Sequence, residues 1–191
     1  QTPTGQDLLF DEKRLEVGKF FANKMWNATK LVLMRLGDED LSTVKESQLR
    51  LTLADRWILS RFANAAKDVT RNLKTYRFAE AAQAVYHFAW NEYCDWYLEM
   101  AKPRWALADK GEMMTPRERV DLKTARWVSW KELDGVLRLL HPFMPFGSEE
   151  LWQAIPHDGD TLAHAAWPKA KKAWFAADAE RAVEAVEPER L

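Results

Sequence analysis

The chain has 191 residues, 47% hydrophobic and 30% charged, with a formal net charge of -1; this excludes a disordered chain and a domain that attracts nucleic acid by bulk charge. Seven Gly and eight Pro are few for the tight turns of a sandwich or barrel and point to long helices joined by few loops. No run of about 18 apolar residues is present to span a bilayer, and Gln1-Thr2-Pro3-Thr4 lacks the basic flank and apolar run of a signal peptide, so the chain reads as cytoplasmic with no membrane partner.

The periodicity predicts an all-α fold of five helices, an up-and-down antiparallel bundle with a short C-terminal extension. The first helix runs from Glu12 to Leu36 and stops at Gly37, a residue suited to the left-handed position that ends helices. Phe21, Met25, Ala28, Val32 and Leu36 share one side for a core, while Lys19, Asn23, Asn27, Lys30 and Met34 fall opposite on a free side. Between Lys13 and Arg35 there are six basic residues against one acid, Glu16, a local basic patch in a chain that is otherwise balanced. Trp26 lies nearer the apolar side and is read as core or as an interface between domains.

Gly37 to Leu51 reads as a polar loop. Thr52, with Asp55 three residues on, then starts a second helix through Leu73 in the manner of a capping box, with Ile58, Phe62, Ala65, Val69 and Leu73 as its apolar stripe. A turn at Thr75 to Arg77 leads to a third helix from Phe78 to Ala101, ended by Pro103. Its aromatic run from Trp90 to Tyr97 is apolar on more than one side, which places it centrally as bundle core. Cys94 is the only cysteine; it permits neither an internal disulfide nor a cysteine zinc cluster and is read as a small apolar helix residue. Asp95 and Glu99, one turn apart, are read as bridging Lys or Arg rather than as a metal pair.

Arg104 to Met114 reads as a loop. Thr115-Pro116-Arg117-Glu118 supplies an N-cap, a proline at the first position and an acid at the third for a fourth helix to Leu140. His141-Pro142-Phe143-Met144-Pro145-Phe146 cannot continue it, and a fifth helix begins at Ser148-Glu149-Glu150. His141 is expected to bond the last free carbonyls. Thr161 to Trp167 is read as an extended segment closing over the bundle, and Ala176 to Val186 as an alanine-rich helix whose packing partner lies outside this sequence.

Four groups of residues carry a resemblance. They are Gly5-Gln6-Asp7 with Phe10-Asp11-Glu12-Lys13-Arg14; Phe21-Ala22-Asn23-Lys24-Met25-Trp26-Asn27-Ala28; Trp90-Asn91-Glu92-Tyr93-Cys94-Asp95-Trp96-Tyr97-Leu98-Glu99 with Ala101-Lys102-Pro103; and Leu140-His141-Pro142-Phe143-Met144-Pro145-Phe146 with Glu149-Glu150-Leu151-Trp152. In this order and spacing the set resembles the class Ia aminoacyl-tRNA synthetases, and the third group resembles their valyl branch. The resemblance implies a helical anticodon-binding domain over residues 1–156 and an extension over 157–191 that leads to a coiled-coil arm. It implies a monomer whose partners are the valine anticodon stem-loop of tRNA and the catalytic domain of a parent valine-tRNA ligase. The family's ATP-handling signatures, His-Ile-Gly-His and Lys-Met-Ser-Lys-Ser, are absent, so ATP and Mg2+ belong to the parent enzyme; this chain has no cofactor, no metal ligand and no catalytic residue of its own. The chain departs from the valyl pattern at Lys30 and Leu31, where relatives place Arg and an aromatic, and at Gly147-Ser148.

Anticodon bases are single-stranded, so a protein reads them through hydrogen bonds to their edges and by stacking, with Lys and Arg at the phosphates. The candidate site is therefore the free side of the first helix. Asn23 and Asn27 are base-edge readers, Lys13, Arg14, Lys19, Lys24 and Lys30 are phosphate contacts, and Leu31 gives only apolar contact where relatives would stack a ring. A stripe of Asn and Lys opposite an apolar stripe is more often a plain solvated face. The rival readings are a helical scaffold for protein interactions, an enzyme with a pocket between helices, and the same domain of an isoleucyl-type relative.

Overall fold

The computed structural model describes residues 12–38 and 41–186, with side chains from residue 16 onward. Among these there are helices and turns and no strand. The principal helices are α1 (Glu12–Leu36), α2 (Leu53–Lys74), α3 (Phe78–His87), α4 (Leu98–Trp105), α5 (Pro116–Leu140), α6 (Pro145–Ala154) and α7 (Ala177–Glu184), with a π-helical segment, Phe88–Tyr97, joining α3 to α4 in one rod.

Side-chain pairs fix the direction of each helix. Phe21 meets Tyr86 at 4.9 Å between ring centroids and Lys24 pairs with Asp95, so α1 and the rod run the same way. Asp55 meets Arg104 while Phe62 meets Phe88, so α2 runs opposite to the rod. Tyr93 donates to the Ser129 carbonyl and Arg104 to the Asp121 carbonyl, so α5 also runs opposite to it. The result is the expected up-and-down bundle. Its core includes Phe21, Met25, Ala28, Val32 and Leu36, the five α1 residues whose spacing assigned them there. Close approach is enforced at Gly135, where an added Cβ would lie 2.4 Å from the Phe62 ring.

Local signals placed several ends. Thr52 with Asp55 and Thr115 with Glu118 form complete capping boxes at the starts of α2 and α5. Gly37 has φ 70 past the end of α1, where a side chain would be strained.

Other expectations are corrected by tertiary contacts. The third helix is not uniform: Phe88, Glu92, Tyr93 and Tyr97 are buried at a spacing wider than 3.6, as the π segment requires. Read at the α period, that spacing makes the segment look apolar all round. Pro103 does not end the rod, which continues to Trp105 and then in 3-10 turns to Met113, so Arg104 to Met114 is not a loop. The hydrogen bond lost at proline is offset because Arg104 is ion-paired to Asp55 and Trp105 is buried. The helix α6 begins at Pro145 rather than Ser148, which is buried in its first turn. His141 caps no carbonyl; its Nδ1 lies 2.9 Å from Ser148 Oγ, and the Leu140 carbonyl accepts instead from Phe143 and Met144.

Between α6 and α7 the chain is irregular. Leu162–His164 is a short 3-10 turn within the stretch expected to be extended. The partner of α7 is α2: Glu180 accepts from Ser60 and Asn64, Asp178 pairs with Arg56 at 2.7 Å, and Ala179 and Val183 are buried. This differs from the expectation because α2 buries a second side: Ser60 and Ala63, away from its apolar stripe, are also buried.

One core group stands apart. Glu132 on α5 is fully buried and neither carboxylate oxygen has a hydrogen bond. Burial pushes its carboxyl well above the usual range, and Glu92 adds to the effect against Lys131. The folded state therefore holds a proton that the unfolded state releases above the ordinary carboxylate range, and stability falls as pH rises. Glu132→Met is predicted to stabilise the fold by about 1–3 kcal/mol at neutral pH, the cost of an unsatisfied buried polar group. The gain should shrink as the pH is lowered to about 3, where the acid is neutral in both states. Urea denaturation at the two pH values checks this; an equal gain at both would contradict it.

Candidate nucleic-acid interface

The free side of α1 is where the helical wheel placed it. Lys19, Asn23, Asn27 and Lys30 are exposed. No hydrogen bond or ion pair within the described residues engages the side chains of Asn23, Asn27 or Lys30, so their donors and acceptors face solvent. Leu31 is half-buried against the core. Lys13 and Arg14 belong to α1, but their side chains lie outside the described residues.

Lys24 differs from the others. It is half-buried, its ammonium pairs with Asp95, and it sits 5.1 Å from the centroid of the Trp90 ring. Asp95 thus bridges a neighbouring helix as expected, while Glu99 pairs within its own rod to Lys102 at 2.5 Å. The ion pair marks one wall of a groove of about 710 Å³ between α1 and the rod, lined by Lys24, Asn91, Cys94, Asp95, Trp96, Glu99 and Met100. The wide turn of the π segment carries Tyr93 and Tyr97 into the core and turns Asn91, Asp95 and Trp96 outward to this groove. Burial pushes the Cys94 thiol up to about 12, so it is a neutral wall group and not a nucleophile.

Two residues of the groove were not singled out in the sequence. Asn91 offers an amide beside the α1 stripe. Trp96 was assigned to the core but is half-buried on the groove wall, as Trp90 is behind Lys24. Phe88, Tyr93 and Tyr97 are core as expected. Trp26 is not core: it is 55% exposed and lies within about 60° of Asn23 and Lys30 on the helical wheel. Met34, between Asn23 and Asn27 on that wheel, is 69% exposed. Among the described residues no three His, Cys, Asp or Glu side chains come together in a way that could hold a metal. No described helix is long and apolar enough to cross a membrane.

A family described as the anticodon-binding domain of tRNA ligase matches residues 55–188. The chain is 44% identical over 168 residues to a valine-tRNA ligase of Carboxydothermus hydrogenoformans, 43% over 169 residues to one of Fusobacterium nucleatum and 41% over 172 residues to one of Bacillus cereus. These alignments cover 87–88% of this chain and 18% of each relative, so the chain spans under a fifth of the relatives' length. The family match begins at Asp55 and leaves out α1, whereas the relatives' alignments are longer than the stretch from Asp55 to the C-terminus and take in part of what precedes it. In fold, the chain is similar to agnB2 LeuRS of Agrobacterium radiobacter K84, solved as a ternary complex with tRNA and LeuAMS. The TM-score is 0.59 at 18% identity, over 88% of this chain and 18% of that one. The chain belongs to the family of anticodon-binding domains of tRNA ligases.

Proposed function

We propose that this chain is the part of a valine-tRNA ligase that reads the valine anticodon, with tRNA held on the free side of α1 and in the groove beside it. One observation carries the reading. Trp26 and Met34 are exposed on the same side of α1 as Asn23, Asn27 and Lys30, whose side chains have no partner among the described residues, so this face offers apolar, hydrogen-bonding and cationic groups together. A partner with flat apolar rings, polar edges and negative charge satisfies all three residue types, and single-stranded RNA is such a partner.

In this reading Asn23 and Asn27 bond base edges, Lys19 and Lys30 neutralise phosphates, and the groove accepts a base splayed out of the loop, with Asn91 and Trp96 at its wall. Lys24 is tied to Asp95 and contributes less charge than its place in the stripe suggests. The neighbouring Trp26 supplies the ring that Leu31 lacks. Valine specificity rests on the identity of the relatives, and the conversion of valine, ATP and tRNA to valyl-tRNA belongs to the rest of such an enzyme, where ATP and Mg2+ would bind. Its contribution is binding energy and orientation of a distant acceptor end. The longer protein would act as a soluble cytoplasmic monomer.

The division of labour on α1 is testable by titrating variants with valine tRNA and with the same tRNA altered in its anticodon. Asn27→Ala should cost about 1 kcal/mol, the worth of a net hydrogen bond, on the intact anticodon and less on the altered one. Lys30→Ala should weaken binding to both alike and lower the slope of log affinity against log salt by about 0.7, one phosphate contact on a single strand. Equal losses on both tRNAs for both variants would reject the assignment.

Asp95→Asn provides a second test, because it releases Lys24 from an exposed pair worth at most about 1 kcal/mol. The thermal midpoint should change little and tRNA affinity at low salt should rise. Unchanged or weaker binding would place Lys24 outside the interface.

A further inference from the structure

The bundle carries a second cationic surface opposite the α1 face. The helices α1 and α2 each pack against the rod and against α5, so they stand at diagonal corners, and the groove between α2 and α5 is on the far side from the groove between α1 and the rod. The segment Trp167-Pro168-Lys169-Ala170 crosses this far groove as a strap without helical structure. It leaves a hollow on each side of itself, one of about 730 Å³ against α2 and one of about 340 Å³ against α5. Its course is fixed by side chains: Trp167 Nε1 donates to the Thr70 hydroxyl at 2.8 Å, Arg138 donates to the Ala166 carbonyl at 3.1 Å, and Trp174 is buried edge to face on Phe62 at 6.3 Å. The hollows are therefore part of the fold.

The lining of the two hollows is of one kind. The α2 hollow carries Lys67, Arg71, Lys74 and Lys169 and no acid, and the α5 hollow carries Lys131, Arg138, Lys169 and Lys171 against one acid, Asp134. Asp134 is taken up by Arg138 and by Trp152 Nε1, Arg71 is paired with Asp68, and Lys171 is paired with Glu46. Lys67, Lys74 and Lys169 are exposed with no partner among the described residues. Trp167 and Pro168 are half-buried and line both hollows, which sets a flat apolar wall between the two groups of cations. Neither lining includes Asn or Gln, and the Thr70 hydroxyl is occupied by Trp167, so the surface lacks the amides that Asn23, Asn27 and Asn91 give the α1 side.

We propose that the strap and its two hollows form a second nucleic-acid track, which holds a stretch of single-stranded RNA by its phosphates and by the faces of its bases without reading their edges. Regularly spaced negative charge with a flat ring on every unit matches cations on both sides of an indole, and such a groove tolerates any sequence. An acidic peptide would satisfy the cations but does not bring a ring with each charge. The track is separate from the α1 face and does not depend on the anticodon reading.

Photo-crosslinking of the 191-residue chain to a short oligouridylate carrying 5-iodouridine, followed by peptide mapping, tests the proposal. A crosslink at Trp167 is expected, and an oligocytidylate of the same length should compete for it as well as unlabelled oligouridylate does. Lys67→Ala combined with Lys169→Ala should leave the thermal midpoint where it was, because both side chains are exposed and unpartnered. It should weaken the Trp167 crosslink several-fold at low salt and lower the salt slope of the affinity read from it by about 1.4, two single-strand phosphate contacts at about 0.7 each. Lys30→Ala on α1 should leave that crosslink unchanged, and the double variant should still discriminate intact from altered valine anticodons as the unmodified chain does. Crosslinks confined to α1 and the rod overturn the proposal, as does a double variant that loses anticodon discrimination, which would merge the two surfaces into one. So does displacement from Trp167 by polyglutamate as readily as by an oligonucleotide of equal charge, which would assign the strap to an acidic protein. Displacement by uridine monophosphate at the oligomer's own concentration also overturns it, because the hollows would then be sites for a free nucleotide.

Discussion

The buried carboxylate of Asp55 holds the bundle in register. It has no exposure, yet it accepts from the Thr52 backbone N–H and hydroxyl at 2.8 Å each, from the Tyr97 hydroxyl at 2.8 Å and from Arg104 at 2.7 Å. Through Arg104, which also donates to the Asp121 carbonyl, it joins the starts of α2 and α5 to the far end of the rod. A buried charge of this kind is costly alone and stable only when fully partnered; removing one partner typically costs about 3–5 kcal/mol. Because α1 packs on the rod and on α5, the position of its Asn and Lys face depends on that cluster even though no described side chain of α1 takes part in it.

The rod converts this register into a usable surface. A regular α-helix from Phe78 to Trp105 would rotate the aromatic residues progressively around its axis. The π segment keeps Phe88, Tyr93 and Tyr97 in line with the core and leaves Asn91, Asp95 and Trp96 facing α1. On the far side, Arg61 bonds the buried Glu92 at 2.5 Å and also reaches Glu180. Burial pushes the Glu92 carboxyl up, but hydrogen bonds from His87 and Arg61 outweigh it and hold the group below its ordinary range. One charged network thus links α2, the rod and α7.

Helix ends governed by local chemistry were legible in the sequence: the capping boxes at Thr52 and Thr115, Gly37 after α1, and the limits of α5. So was the α1 core stripe, because a single period decides it. What was illegible depended on contacts distant in the chain. Pro103 has a local rule that says stop, and Arg104 and Trp105 override it through Asp55 and the core. The π period hides under an assumption of 3.6 residues per turn. Trp26 is placed nearer the apolar side by its angle, but that angle lies within about 60° of Asn23 and Lys30, on the Asn and Lys side. The docking of α7 needed a second buried side of α2 that its main apolar stripe masked. For the site itself, the stripe of Asn and Lys was readable, whereas Asn91 and Trp96 join it only because two helices run parallel.

The central claim is that α1 and its groove read an anticodon. It is tested most directly by titrating the unmodified chain with valine tRNA and with the same tRNA carrying a changed middle anticodon base, at low and at raised salt. Tighter binding to the intact anticodon at both salt concentrations, with affinity for each falling as salt rises, is the predicted result. Equal affinity for the two tRNAs would contradict the account and reduce this surface to a site for phosphate charge alone.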